Sequence, residues 1–533
     1  MNPRIDSSMP IFKLGCTKIV ATIGPAITLK LQTNSERNKS NPEYLEVLNL
    51  FTELFFKGLT CIRFNFSHSN NEERLFRLQL WREAKTEFYR VFNRIDEDGN
   101  SPYKTRFLFP IAELADTKGP EIRVWEMLDK DKGQLYKRGD VVRVYCKDKK
   151  TGDQTCFSVT DSTSKYNMAL DCSVGEKILV DDGKLSFLIQ SVDVDSGIVE
   201  AIAENDHYLK ANKRVNLPNA DYSLPFVSDK DKEDILFSLE QGFQFIALSF
   251  VNKLEDILEV KKLVQDNGEG KDKPLIISKI ETTQCLKNID SVISESDGIM
   301  IARGDLALES PYYNVPFWTK EILRKTAKEK KPAIVATQML DSLERTVVPT
   351  RAEVSDVYRA AELTSDCTML SGETAQGLFP LIALSTMSEI IKAAEKKVNY
   401  EKLFKYFTKD NKSDRLYSLG NQLFLESDKF NSVVSCFLFA DELLEEELNQ
   451  LSSLKLPFPF VVFYRKTNYL EAEQDFELKC SALNRGIYKI ALVGSTDESL
   501  EDCARAFLNL CGYSGSNNLF GVYKSKDLKL VTL

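Results

Sequence analysis

The chain has 533 residues, 43% of them hydrophobic and 28% charged, too many for one hydrophobic core, and it predicts roughly three or four globular domains. A formal net charge of −9 argues against nucleic acid and anionic membrane as principal partners, since both call for a basic surface. No apolar stretch approaches the ~20 residues that span a bilayer, and the N-terminal MNPRIDSSMPIFKLG lacks the apolar run of a secretory signal. The eleven cysteines are scattered, without a CxxC pair or zinc-site spacing. Most sit in apolar runs, such as Cys61 in LTCIRF and Cys436 in VVSCFLF, and read as reduced core thiols of a cytoplasmic protein.

Short β-branched runs, each closed by polar residues and followed by a helical pattern, recur along the chain. That alternation marks parallel strands joined by crossover helices. The runs are residues 17–23, 60–65, 107–116, 245–250, 275–280, 298–305, 332–338 and 367–373. Eight such units predict an α/β fold closed as a (β/α)8 TIM barrel. Helices are expected between them at 42–57, 72–90, 229–240, 253–265, 314–330 and 351–362. The third and fourth runs lie about 130 residues apart, where one βα unit needs about 30. The excess alternates apolar and polar residues (DVVRVYCK, KILVDD, KLSFLIQSV, GIVEAIAE) between the turns DKG, TGD, DDG and DSG. It predicts an all-β domain inserted in one barrel loop.

After about residue 390 a smaller α/β pattern restarts, with strands expected at SVVSCFLFA, FPFVVFY, YKIALVG and LKLVTL and a helical connector at 400–428. The expected domains are a segment 1–16, a barrel of 17–118 with 220–390, an insert 119–219 and a C-terminal α/β domain 391–533.

In such a barrel the loops after the strands build the active-site mouth, so polar residues at strand ends are the candidates for chemistry. The second run ends Arg63-Phe64-Asn65-Phe66-Ser67-His68 and the third Asp116-Thr117-Lys118. The fifth ends Lys279-Ile280-Glu281, the sixth Arg303-Gly304-Asp305, the seventh Thr337-Gln338 and the eighth Ser371-Gly372-Glu373. One polar residue after a strand is ordinarily a helix cap or turn; six of eight strands ending so is a pattern. Glu281 and Asp305 are two hard carboxylates suited to one Mg2+ or Mn2+. Lys279 offers an ammonium for charge developing on a phosphoryl group or an enolate, and Arg63 a fork for phosphate. Gly304 admits a ligand close to the backbone. Asn65, Ser67, Asp116 and Thr117 supply oxygen donors without thiolate or imidazole, a set for a second hard cation, including a monovalent one. Of the two histidines, His207 in AENDHYLK reads as a surface residue. No GxxxxGK[ST] loop, GxGxxG after a strand or kinase catalytic-loop signature occurs.

At these residues the chain resembles the pyruvate kinase family. The stretches TKIVATIGPA, RFNFSHS, ADTKGPEIRV, ILVDDGKLS, VNLPNA, IISKIE, SDGIMIARGDLALE, ATQMLDSL, PTRAEVSDV and MLSGETAQG occur in the family's order from about residue 17 to 380. The resemblance implies a barrel, an inserted β-barrel and a C-terminal regulatory-type domain, in a cytoplasmic glycolytic enzyme, tetrameric as the family usually is. It implies transfer of the phosphoryl group of phosphoenolpyruvate to ADP, giving pyruvate and ATP, with Mg2+ (or Mn2+) and K+. Lys279 would assist transfer and stabilise the enolate, and Glu281 and Asp305 would hold the divalent ion. Gly304, Asp305 and Thr337 would hold the substrate carboxylate, with Thr337 near the site of protonation. Asn65, Ser67, Asp116 and Thr117 would form the K+ site. Arg63, Asn65, His68, Arg123 and Lys213 would meet the nucleotide or its phosphates.

Four positions depart from the resemblance: Ala307, Arg214, Asn219 and Val354 stand where glycine is usual. In the C-terminal domain, CFLFADELLEE at 436–446 replaces the hydroxyl-rich phosphate loop of relatives activated by sugar bisphosphates. GYSGSNN at 512–518 has the residues of an anion nest, although a solvent-exposed turn is its plainer reading. These departures raise an alternative, a catalytically silent paralogue acting as a regulatory or structural subunit. Another barrel lyase acting on phosphoenolpyruvate or an oxoacid fits poorly, because it does not account for the inserted domain and DTKGPEIR.

Overall fold

The computed structural model describes residues 12–532 apart from 13, 29–30, 32–35, 39, 97, 162–164, 219, 221, 410–432, 443–444, 495–497, 514–518 and 525–526. Asn219 and most of the 512–518 and 400–428 segments therefore lie outside the described residues. Within the last, Tyr400–Thr408 is helical.

The first strands are β1 (Lys18–Thr22), β2 (Leu59–Asn65), β3 (Arg106–Leu108) and β4 (Ala112–Asp116). The inserted segment carries β5 (Ile122–Val124), β6 (Gln134–Tyr136), β7 (Val141–Tyr145), β8 (Cys156–Asp161) and β9 (Lys177–Val180). It continues with β10 (Leu185–Asp193), β11 (Ile198–Ala203), β12 (His207–Leu209) and β13 (Arg214–Asn216). Then follow β14 (Phe245–Leu248), β15 (Leu275–Ile280), β16 (Gly298–Ala302), β17 (Ala333–Ala336) and β18 (Cys367–Leu370). The C-terminal strands are β19 (Val433–Phe439), β20 (Phe460–Lys466), β21 (Ile487–Val493), β22 (Leu519–Lys524) and β23 (Asp527–Thr532).

Eight parallel strands close a barrel in the order β1-β18-β17-β16-β15-β14-β4-β2. Nearly every residue of these strands is buried, because helices cover the outside and side chains fill the inside; this is why the runs read as continuous apolar stretches. Seven strands of the insert close a second barrel, β10-β11-β7-β8-β5-β13-β9, whose alternate inward residues, among them Val144, Phe157, Phe187 and Ala201, form its own core.

Contacts divide the chain into two compact units, residues 1–115, 243–245 and 323–533, and residues 116–242 and 246–322. In the first, the C-terminal sheet runs β23-β22-β19-β20-β21-β3. Its edge strand corrects the sequence reading. The run 107–116 is two strands, not one, divided at Phe109-Pro110-Ile111. Pro110 has no N–H for a ladder, so Ala112–Asp116 joins the barrel while Arg106–Leu108 pairs antiparallel with β21. Phe507, on the helix Leu500–Leu510, lies 5.4 Å from the ring of Phe107 and 5.6 Å from that of Phe109, so this junction is packed aromatic core. Strand β22, LFGVYK, escaped the sequence reading, since Gly521 interrupts a short run; it lies beside β19 and forms a hairpin with β23.

In the second unit, the helix Asp229–Glu240 starts with a Ser228/Asp231 capping box. The run 298–305 is also shorter as a strand than expected. It ends at Ala302, and Arg303–Glu309 is helical, which places Gly304 and Asp305 in a helix's first turn. Among the described residues no helix is long and apolar enough to cross a membrane. All eleven cysteines are free, eight of them buried.

Candidate active site

Within the second unit, strand ends bring one ammonium among oxygen donors. Lys279 lies on β15 in register with Met300 of β16, and it is 9% exposed. Its Nζ donates to Ser249 Oγ at 2.7 Å and to Asp116 Oδ1 at 3.1 Å, and lies 3.0 Å from Glu281 Oε1. Ser249 Oγ in turn reaches the Thr117 carbonyl at 2.7 Å.

Glu281 is fully buried, and its Oε2 accepts the Phe250 N–H at 2.6 Å. To aim that N–H, Phe250 adopts a left-handed φ of 59°, a costly conformation for an aromatic residue. Glu281 Oε1 is buried without a hydrogen bond, close to the ammonium but not bonded to it. Burial pushes the Glu281 carboxyl up to about 7, with the Lys279 ammonium opposing and the Asp305 carboxylate adding to the rise.

Asp305 is part-exposed and ion-paired to Arg214 Nη1. Arg214 Nη2 donates to Glu121 Oε1 at 2.7 Å, and the guanidinium carbon lies 5.2 Å from the Phe250 ring centroid. Glu121 is 4% exposed and also paired with Arg123 Nη2 at 2.7 Å. Burial opposes its ionisation, but the two guanidinium groups outweigh burial and hold its carboxyl below the ordinary value. Asn216, next but one to Arg214 on β13, donates to Glu309 Oε1 at 2.7 Å.

Two other basic residues of the insert, Lys213 and His207, are engaged locally. Lys213 Nζ lies 2.7 Å from Asp181 Oδ1, and His207 Nε2 is 3.0 Å from the other Asp181 oxygen. His207, expected at the surface, is half-buried on that carboxylate.

In the first unit, Arg63 is buried near the end of β2 and donates to Thr22 Oγ1 at 3.0 Å. Asn65 Oδ1 accepts the Ser67 N–H at 3.1 Å in the turn that follows, and His68 is exposed there. Thr337, just past β17, and Gln338 have φ of 69° and 52°, unusual for a β-branched residue and its neighbour. Glu373 has a different task from the one its place suggested. Its two oxygens accept the Leu340 and Ser371 N–H groups at 2.9 and 2.7 Å, so it ties loop backbone.

Sequence reading missed Ser249, although ALSF carried the same signal as the other strand ends. It also named Arg214 only as a lost glycine.

A buried lysine between carboxylates at the strand ends of a (β/α)8 barrel with an inserted β-barrel defines a barrel enzyme equipped for anionic substrates. The family model "Pyruvate kinase, barrel domain" matches residues 14–384. Two curated pyruvate kinases, from Mycoplasma genitalium and Mycoplasma pneumoniae, are 40% and 41% identical over 404 and 407 residues. These alignments cover 75% and 76% of this chain and 74% and 75% of the relatives. The crystal structure of a pyruvate kinase from Cryptosporidium parvum matches with a TM-score of 0.76 at 27% identity, covering 97% of this chain and 96% of that one. The chain belongs to the pyruvate kinase family, and it is a glycolytic phosphotransferase.

Proposed function

We propose that Lys279 is the central catalytic residue for phosphoryl transfer from phosphoenolpyruvate to ADP. The observation that carries this reading is its buried ammonium, set among Asp116, Glu281 and Ser249. In the reaction the bond between phosphorus and the enol oxygen breaks, its electron pair staying on oxygen, and a new bond forms to a β-phosphate oxygen of ADP. The ammonium stabilises charge on the transferring group and then on the enolate. The enolate carbon takes a proton on the side of Thr337, whose strained backbone supports a positioning role. Gly304, Asp305 and Thr337 are the residues for the substrate carboxylate, Gly304 and Asp305 lying in the first turn of the helix Arg303–Glu309.

The residues present fit a hard divalent ion. Glu281 Oε1 is a buried carboxylate oxygen lacking a hydrogen bond, and Asp305 adds a second hard donor. Among the described residues no three His, Cys, Asp or Glu side chains gather as a metal cluster, so the two carboxylates would hold Mg2+ or Mn2+ jointly with substrate oxygens. When bound, that ion supplies positive charge to the substrate's oxygens. Asn65, Ser67, Asp116 and Thr117 are the residues for K+, by their oxygen chemistry. Arg63, Asn65, His68, Arg123 and Lys213 are those for nucleotide and phosphates.

The barrel (17–118 and 220–390), insert (119–219) and C-terminal domain (391–533) belong to the same reading. So do a cytoplasmic location, which free thiols suit, and a homotetramer, which exposed Tyr312, Tyr313 and Phe317 suit.

The test is Lys279→Ala in an assay that couples pyruvate to lactate dehydrogenase. Loss of one such group lowers kcat by about 10²–10³; a variant that keeps more than a tenth of the wild-type kcat removes Lys279 from this role.

A further inference from the structure

Strand β13 meets the helix Arg303–Glu309 through two matched pairs. Val215 points into the insert's core, 3% exposed, so Arg214 and Asn216 share the opposite face of the strand. Arg214 reaches Asp305, and Asn216 reaches Glu309. Residues two apart on a strand are spaced by about 6.6 Å, and residues four apart on a helix by about 6 Å. The two periodicities therefore bring both pairs into register.

The second pair is a hydrogen bond to a carboxyl that burial pushes up to about 7, against the Asn216 N–H. The first pair is different in kind. It places a permanent cation on a carboxylate proposed above for the divalent ion. The guanidinium is held by Asp305 and Glu121 and lies over Phe250, the residue whose N–H fixes Glu281. Both carboxylates of the metal reading are thus within Arg214's immediate surroundings. Arg214 also lines a small cavity, of about 10 Å³, shared with Glu121, Tyr222 and Phe250.

We propose that Arg214 is a resident cation that competes with the divalent ion for Asp305, so that it sets metal affinity and metal entry requires the guanidinium to leave that carboxylate. The competition follows from charge and geometry. A guanidinium on an Asp305 oxygen occupies a lone pair that a metal needs, and a divalent ion beside it repels the guanidinium. On leaving Asp305 the guanidinium still has Glu121 as a carboxylate partner.

This inference rests on the reading of Asp305 as a metal ligand, and the experiment separates the two. Mn2+ binding to the intact protein, without substrates, is followed by the electron paramagnetic resonance of free Mn2+. Arg214→Gln and Arg214→Gly should bind Mn2+ at least five-fold more tightly than wild type. Millimolar guanidinium ion should weaken binding to Arg214→Gly and leave wild type little changed, a response that a purely structural residue does not give. Asp305→Asn should abolish binding in both the wild-type and the Arg214→Gln backgrounds. Equal or weaker affinity in the Arg214 variants, with Asp305→Asn still abolishing binding, overturns the competition and spares the metal reading. Full binding by Asp305→Asn overturns the metal reading and the competition with it.

Discussion

Replacing Glu113 by Gln should destabilise the protein by about 3 kcal/mol at neutral pH, and the deficit should shrink in acid. Glu113 is fully buried on β4, three residues before Asp116, so it roots the strand that presents Asp116 to Lys279. Its Oε1 accepts the Trp81 indole N–H at 3.0 Å and the Lys85 ammonium at 3.3 Å, with Arg82 at 3.8 Å. Burial alone pushes the carboxyl up. The Lys85 ammonium, then Lys479, Arg82 and the indole N–H, outweigh burial and bring it down from 4.5 to about 2. Ionisation held at about 2 in the folded state against 4.5 unfolded is worth about 3 kcal/mol at pH 7. Since the folded value is the depressed one, this stability is present above pH 4.5 and is lost as pH falls toward 2. The amide also leaves the Lys85 ammonium buried without a counter-charge, a cost of about 3–5 kcal/mol when a buried pair is broken, so about 3 kcal/mol is a lower bound. Urea unfolding of wild type and Glu113→Gln, followed by circular dichroism at pH 7, 4 and 3, measures the difference directly. A deficit below about 1 kcal/mol at pH 7, or one that stays constant down to pH 3, would refute an ionised, charge-held Glu113.

Glu281→Gln should lower activity by at least two orders of magnitude and weaken Mn2+ binding in the resonance assay, because Glu281 Oε1 is a buried carboxylate oxygen without a hydrogen bond, its charge facing the Lys279 ammonium. Exhaustive EDTA treatment should stop turnover, and added Mg2+ or Mn2+ should restore it. Rates in K+ should exceed those in tetramethylammonium buffer several-fold. Glu121 is a carboxylate engaged by Arg214 and Arg123, and it brings no ammonium to stand in for a monovalent ion; equal rates in the two buffers would contradict this. Millimolar fructose 1,6-bisphosphate should leave the phosphoenolpyruvate saturation curve unchanged. Phe437 and Leu438 are buried in β19, and Asp441 and Glu442 lie in the acidic turn that follows, so no hydroxyl or cation of 436–442 meets a phosphate. A several-fold fall in half-saturation would place an effector site elsewhere.

The barrel was legible because its strands are buried on both faces, so each reads as an uninterrupted apolar run bounded by polar residues. The same feature concealed the split at Pro110. FLFPIAELAD is equally apolar before and after the proline, and only the missing N–H signals that pairing changes partner there. Strand β22 was hidden by Gly521, and the strand 298–305 was overextended because GIMIARGD carries no helix cap; Ala302 provides none in the structure either. Short insert strands such as β5, of three residues, fall below the length at which alternation can be recognised.

Side chains at strand ends could be found from sequence because a barrel fixes where those ends point. Lys279, Glu281 and Asp116 needed only the position of β15 and β4. Arg214 could not be found that way, since its meaning lies in partners 93 residues before and 91 after it in the chain. A glycine replaced by arginine reads in sequence as lost backbone freedom; in the fold it is a gained charge. The register of β13 converts one reading into the other. Val215 must face the insert's core, so Arg214 must face the opposite way, toward Asp305. A change in strand register by one residue would bury the guanidinium in an apolar barrel and expose the valine, at a cost far above that of any single surface contact. The position of this charge in the site is therefore fixed by the hydrophobic core of the insert, and the electrostatics that Arg214 brings to Asp305 follow from where Val215 has to be.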